Sequence, residues 1–297
     1  MPCIHILLDS GSSRYGPKTL MGNWVEDRFL KEDNVRQVQS KHSKGTLLIE
    51  KTRRFFDRLY KEITFASTEY LKFGGVVQVK PLHLNIADHD TSEFNPALSV
   101  IINERVLMHS EGINEECELT VASSDRPCVR NCFRLISGDE KDRTNEVLKY
   151  GQHFRLECIE PNDDPIWVYS APKFTNLLHP IKTNFSSTKR GELNNPLGLV
   201  YRSNCGPGQN VPSAHANWFC MHFDPLRRFE SEGKDVPFNS KVLIVHAVTN
   251  KNLAVENVSI HTLFGEEFLV SVQNYYNVYK QVTWKNLWMI GGGLKHT

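Results

Sequence analysis

The chain has 297 residues, with 35 basic and 34 acidic side chains, a formal charge of +1, and 40% hydrophobic residues. That length supports one large domain or two small ones around a sizeable core, and the composition excludes a disordered chain. The balanced charge excludes a global field that would draw the protein onto nucleic acid or an anionic bilayer, so any partner is selected by shape and local patches.

Near the start, Ile4–Leu8 is too short, and lacks the basic flank, to act as a secretory signal; no run approaches the length of a membrane-spanning helix. An intracellular protein is expected. Residues 1–42 hold turn formers, mixed charges and isolated apolar residues with no sustained period, and read as an extended arm. In this arm Trp24 offers an aromatic anchor, with Arg14, Lys18 and Arg28 as hydrogen-bond donors, the residue types that dominate interface energies. These four are the candidate partner-binding residues; the alternative for Trp24 is packing against the protein's own body. Leu7-Leu8-Asp9-Ser10-Gly11 mimics the apolar-Asp-Ser-Gly turn of aspartic proteases. That chemistry needs two carboxylates sharing a proton, and no second such turn follows.

Residues 43–66 change pattern. Leu48, Phe55, Leu59 and Ile63 fall near helical spacing, with Phe56 and Tyr60 beside them and a charged opposite side, which predicts one amphipathic helix. Its apolar face either covers the body that follows or meets a partner.

Residues 67–290 read as a mainly β, β-trefoil-like body, because three segments open alike and close alike. Tyr70–Gly74 leads into Val76–Val79, Val147–Gly151 into Phe154–Leu156, and Pro237–Asn239 into Val242–Val245. Each is an aromatic, a residue that tolerates positive φ, and a β-rich run. Asn131–Ile136, Asn217–Met221 and Asn286–Ile290 close the units, each with an Asn ahead of aromatic and apolar residues. Second strands are expected at 97–102, 166–169 and 253–255. The units span about 70–136, 147–221 and 237–290; none can bury its apolar face alone, so three sharing one core imply pseudo-threefold closure. Chance recurrence of short β motifs is the competing explanation. Asn184–Asn217, rich in Asn, Ser, Gly and Pro, reads as a long loop, either functional or disordered. Residues 291–297, beginning Gly291-Gly292-Gly293, read as a flexible tail.

Seven cysteines without a secretion signal fit reduced, mostly buried thiols. Cys128-x-x-x-Cys132 and Cys220-x-His222 lack the paired spacing of a structural zinc site. Asp88-His89-Asp90 and Asn162-Asp163-Asp164 cluster oxygens but do not continue into a calcium loop. Nucleotide-binding fingerprints and nucleophile elbows are absent, so neither catalytic residues nor a cofactor or metal are expected. A trefoil lectin site built on Trp167 with Asp163 or Asp164 lacks support, because Gln281-Val282-Thr283-Trp284 has the wrong spacing for the ricin-type signature.

The third unit, Lys241–His246 with Thr249-Asn250, Leu253-Ala254, Phe264–Glu267 and Asn286–Trp288, resembles the MIR-type β-trefoil repeat. The chain from about 21 to 290 resembles the cilia- and flagella-associated protein 161 family. The carrying landmarks are Met21–Trp24 with Glu26-Asp27, Lys44-Gly45 with Leu47–Ile49, Val147–Gln152, and Phe223–Pro225 with Glu232-Gly233. This resemblance implies a structural, non-catalytic microtubule inner protein in the axoneme of cilia or flagella. Its implied partners are the lumenal surface of tubulin and other inner proteins, not nucleic acid or membrane. A MIR-type ligand-binding or adaptor module without a ciliary role is the alternative.

Overall fold

The computed structural model describes residues 24–65, 68–82, 96–102, 106–107, 112–114, 117–124, 126–139, 141, 143–160, 165–170, 198–201 and 214–292. Arg14, Lys18 and the Asp9, Asp88–Asp90 and Asn162–Asp164 motifs lie outside them. The chain divides into two units, residues 1–51 and 52–297.

In the first unit the extended-arm expectation needs correction, because Trp24–Ser43 is an α-helix of 20 residues, α1. Its first turn carries Glu26 and Asp27 and its last turn Lys41 and His42, charges that complement the helix dipole. Gly45, at φ 62°, ends it. Gly45 N–H bonds the carbonyl of His42 and Thr46 N–H that of Lys41, a Schellman closure that needs the left-handed conformation glycine adopts without strain. The arm lacked a helical period in sequence because its apolar residues lie on every side of α1, so local charge and capping, not an apolar stripe, specify it.

The second helix, α2, covers Leu48–Leu59, shorter than the 43–66 expected. Phe55 and Leu59 are buried in the core of the body, with Ile63 packed against it, so this face covers the body.

Among the described residues twelve strands form the body: β1 (Val76–Pro81), β2 (Ala97–Ile101), β3 (Glu118–Ala122), β4 (Phe133–Ser137), β5 (His153–Cys158), β6 (Ile166–Tyr169), β7 (Gly198–Tyr201), β8 (Trp218–His222), β9 (Ser240–His246), β10 (Lys251–Thr262), β11 (Gly265–Val272) and β12 (Trp288–Gly291). Six close a barrel by antiparallel pairing in the order β1, β4, β5, β8, β9, β12 and back to β1. The other six are the hairpins β2–β3, β6–β7 and β10–β11. Each unit contributes two barrel strands and one hairpin, which is the β-trefoil arrangement, and closure removes the barrel's edges. The third strand of each unit escaped sequence reading. β7 lies within the expected loop 184–217, where Gly198-Leu199-Val200-Tyr201 is a short β-rich run hidden between Asn- and Gly-rich flanks.

The pseudo-threefold axis is written in backbone hydrogen bonds. Leu71 N–H donates to Val236 O, Val236 N–H to Leu148 O, and Leu148 N–H to Leu71 O, at 3.0, 2.9 and 2.7 Å, a closed ring of three. A second set follows the same rule: Phe73 N–H to Glu146 O, Tyr150 N–H to Lys234 O, and Phe238 N–H to Glu69 O. The next residue in each unit has positive φ: Gly74 at 83°, Gly151 at 80° and Asn239 at 59°. These three donate to Leu135 O, Cys220 O and Ile290 O on the closing strands. Phe73, Tyr150 and Phe238 are therefore equivalent, as are Phe133, Trp218 and Trp288 two residues before those acceptors. The closing asparagines are not all in register: short 3-10 turns end at Asn131, Ala216 and Asn286, so Asn217 sits one place late.

The tail expectation also needs correction. Gly291 belongs to β12, opposite Gln78, and Gly291 and Gly292 are both buried. A β-carbon on Gly291 would lie 1.6 Å from Asn239 Oδ1 and 3.1 Å from Asn239 N, so the Asn239 side chain, backed by its own backbone, fills the space a side chain would need. Gly291→Ala is expected to cost about 1–3 kcal/mol as an overpacking change and to lower the melting temperature. A residue in a free tail would leave the melting curve unchanged.

Candidate docking surface

Of the four residues singled out as partner contacts, Trp24 opens α1 and Arg28 lies one turn later. Arg28 Nε donates to Glu32 Oε1 at 3.0 Å, and Asp33 pairs with Arg36, both at exposed helical spacings. Such pairs contribute little stability and hold charges in register on the helix surface. Val25, Phe29, Leu30, Val35 and Val38 are exposed around this polar scaffold.

Inside the body, a small set of charged side chains is buried and hydrogen-bonded. Arg130, in the turn before β4, is 4% exposed; its Nη2 donates to Glu267 on β11 at 2.5 Å and its Nε to Val100 O on β2 at 3.1 Å. Thr120 on β3 donates to the other Glu267 oxygen at 2.6 Å. The Arg130 guanidinium lies 3.9 Å from the centre of the Phe264 ring, which in turn packs against Phe56 and Tyr60 of the α2 region. One buried pair thus ties the first trefoil repeat to the third and to the Phe56–Tyr60 segment. Near the base of β10, Glu256 accepts hydrogen bonds from Ser271 and from the Tyr275 hydroxyl; burial and that carboxylate push the Tyr275 phenol up. His246, fully buried at the end of β9, donates from Nε2 to His215 O at 2.8 Å and meets Thr249 Oγ1 through Nδ1. Burial holds its imidazole below its ordinary value, favouring the neutral ring.

The cysteine reading holds for Cys117, Cys128, Cys132, Cys158 and Cys220, all free and buried. Burial raises the Cys128 thiol and pushes Cys132 up to about 12, so these are packing groups with little thiolate character. Among the described residues no three His, Cys, Asp or Glu side chains cluster as metal ligands, and no helix is long and apolar enough to cross a membrane.

Among the described residues, the most exposed apolar side chains of the body lie on two ordered turns that sequence reasoning passed over. Between β8 and β9, Asp224 caps a 3-10 turn by accepting from Leu226 N–H, and Arg228 Nε is tied to His222 O. The result leaves Leu226 and Phe229 88% and 89% exposed. Between β11 and β12, the turn Tyr275–Thr283 raises Tyr276, Val278 and Tyr279, with Val278 95% exposed. The available signal was apolar and aromatic residues placed among strong turn formers, in Asp-Pro-Leu-Arg-Arg-Phe and Tyr-Asn-Val-Tyr, where neither strand nor helix period would bury them.

Compared with known proteins, residues 51–293 match the model of the cilia- and flagella-associated protein 161-like domain. The chain is similar to the Bos taurus protein named cilia- and flagella-associated protein 161, 30% identical over 94% of this chain and 82% of that one. It is also similar to the Mus musculus and Danio rerio proteins of that name. The mouse protein is 28% identical, over 94% of this chain and 88% of its own; the zebrafish protein is 26% identical, over 93% and 87%.

Two tests follow from the buried groups. Arg130→Ala strands the Glu267 carboxylate and should cost about 3–5 kcal/mol in denaturant unfolding, whereas Arg130→Met with Glu267→Leu should recover most of that loss. For His246 the unfolded imidazole protonates near its ordinary 6.5 while the folded one resists, so its contribution is complete above that pH and is lost as pH falls from there toward the depressed folded value. A melting series from about pH 8 to about pH 5 should show this slope, and His246→Asn should remove it.

Proposed function

The chain belongs to the cilia- and flagella-associated protein 161-like family, and from that premise we propose that it is a structural microtubule inner protein of the axoneme. In this reading it binds the lumenal face of doublet microtubules beside other inner proteins, stiffens the doublet and supports beating. Its role is non-catalytic, and neither cofactor nor nucleic acid nor membrane takes part. Family membership over residues 51–293 carries the proposal. The architecture supports it. A barrel closed by hydrogen bonds, with the Arg130–Glu267 pair buried against it, makes a stiff element. Ordered turns carrying exposed apolar side chains suit fixed attachment to a neighbour. A formal charge of +1 suits a protein that is held by shape complementarity inside a lattice.

The N-terminal unit supplies a second point of attachment in this reading, through Arg14, Lys18, Trp24 and Arg28. A tagged full chain expressed in ciliated cells should concentrate along axonemes and remain in doublets after a salt wash; signal confined to the cell body would refute the proposal. Deleting residues 1–42 should leave the thermal melting of the body in place and reduce the salt-resistant fraction. A collapsed fold would show instead that this segment is part of the core.

A further inference from the structure

The turn between β11 and β12 is built in advance of any partner. Asn277 organises it: its Oδ1 accepts from Tyr279 N–H at 3.0 Å and Gln281 N–H at 2.9 Å, and its Nδ2 donates to Gln281 Oε1. Asn277 N–H bonds Gln281 O, Lys280 N–H bonds Asn277 O, and Lys280 takes a positive φ of 59°. At its base Thr283 N–H donates to Tyr275 O and Tyr275 N–H to Asn286 Oδ1, while Asn286 Nδ2 donates to Leu253 O and Gln273 O. The Tyr275 hydroxyl is held by buried Glu256, and Lys285 Nζ lies 4.5 Å from the centre of the Tyr275 ring.

This scaffold spends many hydrogen bonds to hold apolar groups in water. Val278 is 95%, Tyr279 83% and Tyr276 56% exposed. An isolated exposed apolar residue is ordinary, but three on one rigid projection are not explained by folding. Rigid tyrosines contribute contact area at low entropic cost, and a preformed loop loses little freedom on docking. The charge of the projection is one-signed: residues 272–292 contain Lys280 and Lys285 and no Asp or Glu. The turn between β8 and β9 differs, because residues 223–235 mix Asp224, Glu230, Glu232 and Asp235 with Arg227, Arg228 and Lys234. Of these two, the turn between β11 and β12 combines an apolar tip with a basic rim, the complement of an apolar depression ringed by carboxylates.

We infer that the Tyr275–Thr283 turn is the body's docking finger for an acidic protein surface, with Val278 and Tyr279 entering an apolar depression and Lys280 facing carboxylates at its rim. The inference rests on the proposed tubulin-binding role and commits to the tubulin lattice, an acidic polymer, as that surface.

The test uses the full chain and open tubulin sheets, which expose the lumenal face, in a co-sedimentation titration. Wild-type protein should bind with an affinity that falls as salt rises. Val278→Ser with Tyr279→Ser should weaken binding about tenfold or more, Lys280→Glu should weaken it and flatten the salt dependence, and Val248→Ser, an exposed apolar position in the turn between β9 and β10, should bind like wild type. All variants should melt with the parent, since the changed side chains are exposed. Sheets that hold the Val278/Tyr279 variant as firmly as wild type, or release only a variant of the other turn, Leu226→Ser with Phe229→Ser, would overturn the finger while leaving tubulin as partner. Wild-type protein that fails to sediment with the sheets would overturn both.

Discussion

Everything in the body depends on three chain segments meeting end to end around one axis. Leu71, Leu148 and Val236 each give an N–H to the next segment and take one from the previous, so no member of the ring can leave without orphaning a backbone group in a nearly water-free place. The geometry explains why the residue three places on is glycine twice and asparagine once. The chain must turn back onto its own closing strand through positive φ, and asparagine is one of the few other residues that reaches that region at modest cost. Once the three turns are set, the register of Phe73, Tyr150 and Phe238 follows, and with it the layer of Phe133, Trp218 and Trp288 on which the barrel closes.

The symmetry is broken where chemistry requires it. Trp218 and Trp288 each donate their indole N–H to a carbonyl on the second strand of their own unit, Val168 O at 3.1 Å and Leu253 O at 2.9 Å. Phe133 has no such donor. In that unit the carbonyl of Val100 on β2 takes its bond from Arg130 instead, and a cation brought into the interior must find an anion. Glu267 on β11 supplies it, Thr120 satisfies the second carboxylate oxygen, and Phe264 covers the guanidinium face. A single aromatic without a hydrogen-bond donor is thus accompanied by a buried ion pair. That pair also fixes how the longest hairpin and α2 sit on the body.

Much of the fold was legible because it is repeated. Aromatic, positive-φ residue, β run is a local pattern, and seeing it three times substitutes for an alignment. The second strands were legible too, bounded as they are by Asn, Asp and Pro. The third strands were not: Glu118–Ala122 and Gly198–Tyr201 are short and set among polar sequence, and pairing across the hairpin, not local propensity, makes them strands. Helix α1 was missed for the opposite reason, since its capping and charge pattern specify a helix that no apolar stripe announces. The glycines at 291 and 292 looked like the start of a tail because a sequence cannot show that Asn239 and Phe65 occupy the space a side chain would need.

The candidate site was the least legible part, and the reason is physical. Interface residues are recognised by being exposed and apolar at once, and exposure is a property of the folded chain. Trp24 drew attention as a lone tryptophan in polar sequence, whereas Val278 and Tyr279 look like strand residues until the Asn277 turn is seen to lift them away from the sheet. In a threefold body the three connections between hairpin and barrel need only complete the fold. The Tyr275–Thr283 excursion, which runs past that requirement and carries its own hydrogen-bonded frame, is sequence the trefoil does not need for closure. Such additions to a closed scaffold are where a shared fold acquires a particular partner.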